Sequence, residues 1–310
     1  MPDMTLQQLR IVHEIVRQGC NVSRAAEALG MSQPGLSRQV QELERAIGVE
    51  IFVRAAKRFV RLSEPGVEVH RIAQRMLFDA ESIRSVGREF TDVAEGTLTI
   101  ATTHTQARYR LPPVIQKFVR KFPRVAFRIR QGTPSDAAQM VVGGSADFCI
   151  ATAPPERMPE LVYLPCYKLP RLILVPAGHP LVRERKVTLQ KLARYPLITY
   201  DFAFVSRSRI LAAFAREGLT PTVVLNAIDA DVIKTYVELG MGVAILPALA
   251  FDRKRDKTLR ALDASHLFEP SLIQVGLRRH DYLRGYTYTF IELFAPALDR
   301  AAVDAAIAAD

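Results

Sequence analysis

Tryptophan is absent from this 310-residue chain, and cysteine occurs only three times. Cys20, Cys149 and Cys166 form no CxxC pair and have no histidine at ligand spacing. That argues against a structural zinc site or a disulfide frame and points to a reducing cytoplasm. No charged-then-apolar leader opens the sequence, and no apolar run approaches the ~20 residues of a membrane span. A cytoplasmic protein without membrane attachment is therefore expected. A GxSxG elbow, a glycine-rich phosphate loop and a pair of carboxylates placed for acid–base work are missing too. With no reactive constellation, neither an enzyme nor a bound metal or cofactor is expected. Internal repeats and low-complexity tracts are likewise absent.

Apolar residues make up 49% of the chain and charged residues 24%, an ordinary globular balance. The length allows two or three domains with ample core. Net charge is +10, which suits a polyanionic partner without identifying one.

The stretch CNVSRAAEALGMSQPGLSRQVQELERAIG, residues 20–48, reads as two short helices joined by a tight turn. In the second, Leu36, Val40, Leu43 and Ile47 recur by four, three and four and define a buried stripe. Gln33, Ser37, Arg38 and Gln41 fall on the other face, where they can bond base edges or phosphates. Ser32 is a natural N-cap, Pro34 is tolerated in the first turn, and Gly48 is the expected stop. Ahead of this pair, Leu6, Leu9, Val12 and Val16 mark a first amphipathic helix. Asn21 or Ser23 caps the next, with Val22, Ala25, Ala26 and Leu29 inward and Gly30 closing it. Small alanines let helices cross closely, as a helix-turn-helix requires. VEIFVRAAKRFVRLS then reads as a hairpin wing whose Arg54, Lys57 and Arg58 meet the DNA backbone. Double-stranded DNA is the expected partner.

Ser63 opens a long helix in which Val69, Ile72, Met76, Ile83, Val86 and Phe90 keep three–four spacing, interrupted by Asp79. Such a seam can pair with its copy in a second subunit. From residue 97 the pattern becomes α/β. Strands are expected at 97–101, 125–130, 147–151, 171–176, 197–199, 222–226, 242–246 and 273–276. Helices are expected at 110–120, 134–142, 188–193, 206–217, 231–239 and 284–294, with a further one after Asp299. The resulting division is a winged helix-turn-helix at 1–62, a linker helix at 63–90, a hinge at 91–96 and an α/β domain of two lobes at 97–310.

After the strand ending at Ala101 comes Thr102-Thr103-His104-Thr105-Gln106, directly before a helix. Short hydrogen-bonding side chains with free backbone N–H groups at a helix start form a neutral anion cradle. Gln131-Gly132-Thr133-Pro134-Ser135 and Thr152 follow the next two strands. Carboxyl ends of strands in open α/β sheets face the ligand crevice, so these loops are expected to converge. Gly132 and Thr133 join the candidate set on that ground. Capping explains one hydroxyl per helix; the run at 102–106 has more. Asp229 and Asp231 precede a helix, and capping accounts for at least one of them.

These residues carry a resemblance. LQQLRIVHEI, the block NVSRAAEALGMSQPGLSRQVQELERAIGVEIFVR, LSEPGVE, GHPL at 178–181 and GMGVAILP at 240–247 resemble the LysR-type transcriptional regulators along essentially the whole chain. IATTHTQARYRLP, FPRV, QGTPS, ADFCIAT, LPCY, DADVIKTYV and FIELFAP are similar to its CysB/Cbl branch. The resemblance implies a periplasmic-binding-protein-like effector domain, dimers paired into tetramers, RNA polymerase as a further partner, and control of sulfur-assimilation genes. It also implies effectors such as sulfate, thiosulfate, adenosine phosphosulfate or acetylserines, held by Thr103, Thr105, Gln106 and Thr152. Two positions depart: Leu169 stands where the branch usually carries tryptophan, and Val205 where it carries threonine, with Ser206 as the substitute hydroxyl. Regulation of sulfonate or other organosulfur use is the neighbouring alternative. A solute-binding protein would account for 97–310 but has no need of a helix-turn-helix.

Overall fold

The computed structural model describes residues 4–55, 58–89, 95–201 and 205–309. Internal contacts divide the chain near residue 92 into two units.

The first unit opens with α1 (Leu6–Arg17), α2 (Val22–Leu29) and α3 (Gln33–Ile47). Asn21 caps α2 and Ser32 caps α3, each accepting a backbone N–H of the first turn. Gly30 and Gly48 close the same helices at φ 64° and 76°, left-handed values that glycine adopts without Cβ strain. Leu36, Val40 and Leu43 pack against Ala25, Ala26, Leu9 and Val12 in one core. The inward face of α1 is rotated from the expected one. Ile11 and Ile15 are fully buried while Leu6 is exposed, because the helix is covered by α4 as well as by α2 and α3.

Strands β1 (Phe52–Ala55) and β2 (Arg58–Leu62) pair antiparallel as the expected hairpin, with a bulge after Val53. Phe52 and Phe59 stack at 4.6 Å and tie it to the core. Ser63 caps α4 (Glu64–Glu89) through the Gly66 N–H at 2.9 Å. A Cβ on Gly66 would stand 1.9 Å from the Ile51 carbonyl oxygen, so only glycine permits this close approach. The apolar residues of α4 do not form one face. Ala73, Val69, Met76 and Leu77 pack on the core of their own unit, whereas Ile72 and Ile83 stand exposed. The side chain of Val86, and Phe90 itself, lie outside the described residues.

The second unit runs β3 (Gly96–Thr102), α5 (Leu111–Lys121), β4 (Val125–Gln131), α6 (Pro134–Val142), β5 (Phe148–Thr152), β6 (Leu161–Leu169), β7 (Arg171–Pro176), α7 (Leu189–Leu192), β8 (Leu197–Tyr200), α8 (Val205–Arg216), β9 (Val223–Ala227), α9 (Ala230–Glu238), β10 (Val243–Pro247), β11 (Leu259–Asp263), β12 (Ser271–Arg278), α10 (Gly285–Phe294) and α11 (Arg300–Ala308). Two five-stranded sheets result, ordered β4-β3-β5-β12-β6 and β11-β7-β10-β8-β9. In the first, β3 lies parallel to β4 and β5, while β12 is antiparallel to β5 and β6. In the second, β8 is parallel to β9 and β10, and β7 antiparallel to β10 and β11. The chain passes from one sheet to the other at Pro170 and returns between β11 and β12. Each sheet is therefore the centre of a lobe, as the α/β pattern implied.

Two strands escaped the sequence pattern. β6 carries Pro165 near its middle, which reads as a strand breaker; it is tolerated because β6 is an edge strand. β11 is a five-residue edge strand with polar positions at Arg260 and Asp263. No helix among the described residues is long and apolar enough to cross a membrane.

Candidate functional site

Both parallel strands at the centre of the first sheet end in threonine, β3 at Thr102 and β5 at Thr152. Thr102 is taken by the fold: its hydroxyl donates to the Ile150 carbonyl at 2.6 Å. The next residues turn immediately into a one-turn π-helix, Gln106–Arg110, leading into α5. That tight turn gathers Thr103, Thr105 and Gln106 at the strand end.

A cavity of about 40 Å³ lies there, lined by Thr103, Thr105, Gln106, Thr152, Leu169, Tyr200, Pro247, Ser271 and Ile273. Only a few water-sized groups fit such a space. Thr105 Oγ1 and Tyr200 OH are 3.3 Å apart, joining the two lobes across it. The Tyr167 hydroxyl donates to Gln106 Oε1 at 2.6 Å, which commits the amide oxygen and leaves its nitrogen as a donor. Burial pushes the phenols of Tyr200 and Tyr167 up to about 12, so both stay protonated donors at neutral pH. Among the described residues, no carboxylate and no ammonium lines the cavity. Its chemistry is therefore that of neutral donors converging on a small acceptor, which suits an anion that binds and leaves.

Beside it, Asp231 at the start of α9 gathers groups from the other lobe. Tyr109 donates to it at 2.5 Å, Arg108 at 3.1 Å, and His104 lies at 3.7 Å. Lys234 bridges Asp231 and Asp256 at 3.0 and 3.1 Å. Burial works to raise the Asp231 carboxyl, but the Tyr109 and Lys234 hydrogen bonds outweigh it and hold the group below its usual range. Asp229 is the residue that caps α9, accepting Val232 N–H at 2.8 Å.

Of the residues expected at the effector site, Thr103, Thr105, Gln106, Thr152 and Leu169 line the cavity. Gly132 and Thr133 do not. Thr133 and Asp136 form a reciprocal cap on α6, with Thr133 N–H to Asp136 at 2.9 Å and Asp136 N–H to Thr133 Oγ1 at 3.2 Å. Gly132 N–H bonds Thr102 O at 3.1 Å, so this loop is used up locally. The side chains of Val205 and Ser206 lie outside the described residues. Tyr200 and Pro247 were missed although each ends a strand of the second sheet, a position that alone could have marked them. Ser271 and Ile273 belong to β12, whose place in the first sheet has no sequence signal.

On the head, Gln33, Pro34, Arg38 and Gln41 are exposed along α3, and Ser37 is half-buried. Gln33 donates to Ser23 at 2.8 Å and Arg38 pairs with Glu42 at 2.9 Å, while the Arg38 side chain stays 78% exposed. Ser32 is occupied as the cap. Arg54, expected at the DNA backbone, has a partner inside the unit. It pairs with the buried Glu44 and lies over the Phe59 ring. Lys57 and the side chain of Arg58 lie outside the described residues.

Comparison with known proteins bears on both sites. Residues 6–67 match the family described as bacterial regulatory helix-turn-helix protein, lysR family, and residues 91–299 match the LysR substrate binding domain. The transcriptional regulator SsuR of Burkholderia cenocepacia is 51% identical over 97% of this chain and 97% of its own. CysB of the same organism is 48% identical over 98% of this chain and 97% of its own. A crystal structure of the cofactor-binding domain of the Cbl transcriptional regulator superposes with a TM-score of 0.66 at 40% identity, covering 70% of this chain and 95% of that one.

Proposed function

The chain belongs to the LysR family of bacterial regulators, and from that premise we propose that it is a cytoplasmic, sequence-specific transcription regulator of sulfur-assimilation genes that answers to a small anionic effector. The observation that carries the effector half is the cavity of neutral donors at Thr103, Thr105, Gln106 and Thr152. Sulfate, thiosulfate, adenosine phosphosulfate and acetylserines are the candidates, and the anionic end of each has the acceptors these donors need. The DNA half rests on Gln33, Arg38 and Gln41, exposed on one capped helix. The exposed Ile72 and Ile83 on α4 supply an apolar strip for a second copy, and dimers paired into tetramers would present two heads to two half-sites. Effector binding then acts only through a difference in affinity between two arrangements of the protein.

A second reading, control of sulfonate or other organosulfur use, is favoured by the apolar wall of Leu169, Pro247 and Ile273, which suits the carbon end of such an anion better than bare sulfate. Gel-shift assays on genomic fragments test both, using wild type, Arg38→Ala and Ile83→Glu with and without each effector. Wild type should select few fragments and change mobility with one effector, Arg38→Ala should lose selectivity, and Ile83→Glu should bind weakly as single heads. Binding that ignores sequence and effector alike overturns the proposal.

A further inference from the structure

Thr103, Thr105 and Gln106 carry the cradle, and the turn that follows them is built to be held from outside. Gln106–Arg110 is a π-helix, a rare form that recurs at functional sites. Pro112 and Pro113 come next, and having no N–H they leave two rungs out of the ladder that joins this turn to α5. The start of the turn is tied by Gln106 N–H and Ala107 N–H to the Thr103 carbonyl, at 3.1 and 3.0 Å. Beyond that point it leans on the second lobe, where Tyr109 packs on the apolar core around Ala230 and Ile233.

Asp231 is what the turn reaches there. His104 and Arg108, four residues apart, both face this carboxylate, at 3.7 and 3.1 Å, together with the Tyr109 hydroxyl at 2.5 Å. The carboxylate is itself braced. Lys234, one turn on along α9, binds it at 3.0 Å and also holds Asp256, which accepts Asp252 N–H at 2.8 Å. Asp231 lines a separate cavity with Arg108 and Lys234, and not the cradle. One carboxylate thus fastens a turn of the first lobe to a stiffened corner of the second.

We propose that Asp231 is a positioning residue for the effector: it clasps the 104–110 turn to the second lobe and so sets the cradle donors Thr105 and Gln106. Donors already in place bind without the entropic cost of being ordered. Because the clasp crosses between lobes, effector binding favours the arrangement in which it is made. The inference rests on reading the cavity as the effector site and adds to it a group that never touches the effector. It also carries a sign of its own. The charge of Asp231 repels a nearby anion, so by charge alone its neutralisation tightens binding. A carboxylate that acts by position does the reverse, and its loss weakens binding. The direction of the change decides between them.

Calorimetric titration of the full-length protein with sulfate, thiosulfate and O-acetylserine tests it in wild type, Asp231→Asn, Tyr109→Phe and Thr103→Ala, with thermal melts to check each fold. Asp231→Asn removes the charge; Tyr109→Phe removes one hydroxyl of the clasp and no charge, and carries the test if the first variant melts early. Both should bind the probe that wild type binds about fivefold or more weakly. In the double variant Asp231→Asn/Gln106→Ala the loss should be smaller than the product of the single losses, since a donor that is gone needs no positioning. Losses that simply multiply overturn the proposal. So do Asp231→Asn and Tyr109→Phe proteins that bind as wild type or tighter while Thr103→Ala binds weakly, a result that leaves the cradle reading standing. Wild type that binds none of the probes, or Thr103→Ala that binds as wild type, takes away the cradle reading and this inference with it.

Discussion

Two buried charges, Glu44 in the head and Arg171 in the effector unit, are handled in opposite ways. In the head, Glu44 is buried on α3, yet every charge near it is closed locally. It accepts Ile51 N–H at 2.8 Å and Phe52 N–H at 3.3 Å and pairs with Arg54. In the effector unit, Arg171 is buried among uncharged partners with one nitrogen left over. The cradle beside it likewise holds hydroxyls and an amide rather than an ion pair. A closed network stabilises a fold; an open one keeps donor capacity for something else. The head therefore presents its candidate base-reading groups outward and risks little stability on them, whereas the effector unit keeps the candidate donors of its cradle inside.

The sharpest way to break that contrast is Glu44→Ala. It strips an acceptor from two backbone N–H groups and leaves Arg54 half-buried and unpaired, a loss of about 3–5 kcal/mol. Urea unfolding followed by circular dichroism should show the head's transition move to lower denaturant while the effector unit's stays in place. A shift shared equally by both transitions would show that the units are not separate in this sense.

A smaller effect is expected from Thr103→Ala, which removes one donor from the cradle. Affinity for the effector should fall by about tenfold or more, the ~1.5–3 kcal/mol of a charge-assisted hydrogen bond, with both unfolding transitions unchanged. Calorimetry with sulfate, thiosulfate and O- and N-acetylserine reads this directly, since the chain has no tryptophan to report it. Undiminished affinity for all of them removes Thr103 from the site.

The gentlest difference is in pH. His70 lies 3.3 Å from His13 in the head, and burial, helped by the His13 charge, pushes it down to about 4. Its native form binds fewer protons than the unfolded chain, so its contribution is whole above pH 6.5 and is lost as pH falls towards 4. In the effector unit, burial raises Asp147 to about 6. Its native form holds the proton more tightly, so its contribution is whole below pH 3.8 and is lost as pH rises through 6. Between pH 6.5 and 4 the two groups therefore tilt the stability of their units in opposite directions. Melts across that window for His70→Gln and Asp147→Asn should each flatten one slope and leave the other.

The same contrast governs what could be read in advance. The head is built from local periods, so Ser32, Gly48, Leu36, Val40 and Leu43 were legible residue by residue. Ile11 and Ile15 were not, because the cover they receive comes from α4, far along the chain. The Arg54–Glu44 pair was hidden for the same reason: Glu44 stands ten residues away on another element, and only the fold brings them together. In the effector unit, Thr103, Thr105, Gln106 and Thr152 were legible because hydroxyls at strand ends follow a rule of open sheets. Ser271 and Ile273 were hidden, since no local pattern announces that a late strand enters an early sheet. Thr133 looked like its neighbours and proved to be a cap.

That late strand also sets an order of assembly. β12 lies between β5 and β6, and among the described residues β6 has no other neighbour in its sheet. About a hundred residues separate the end of β6 from the start of β12, and a ribosome adding ~5–20 residues per second needs several seconds to make them. All five strands of the second sheet emerge in that interval. The lobe begun first on the ribosome is thus the lobe completed last, and a nascent chain stopped before residue 271 carries one whole lobe and one with an open seam.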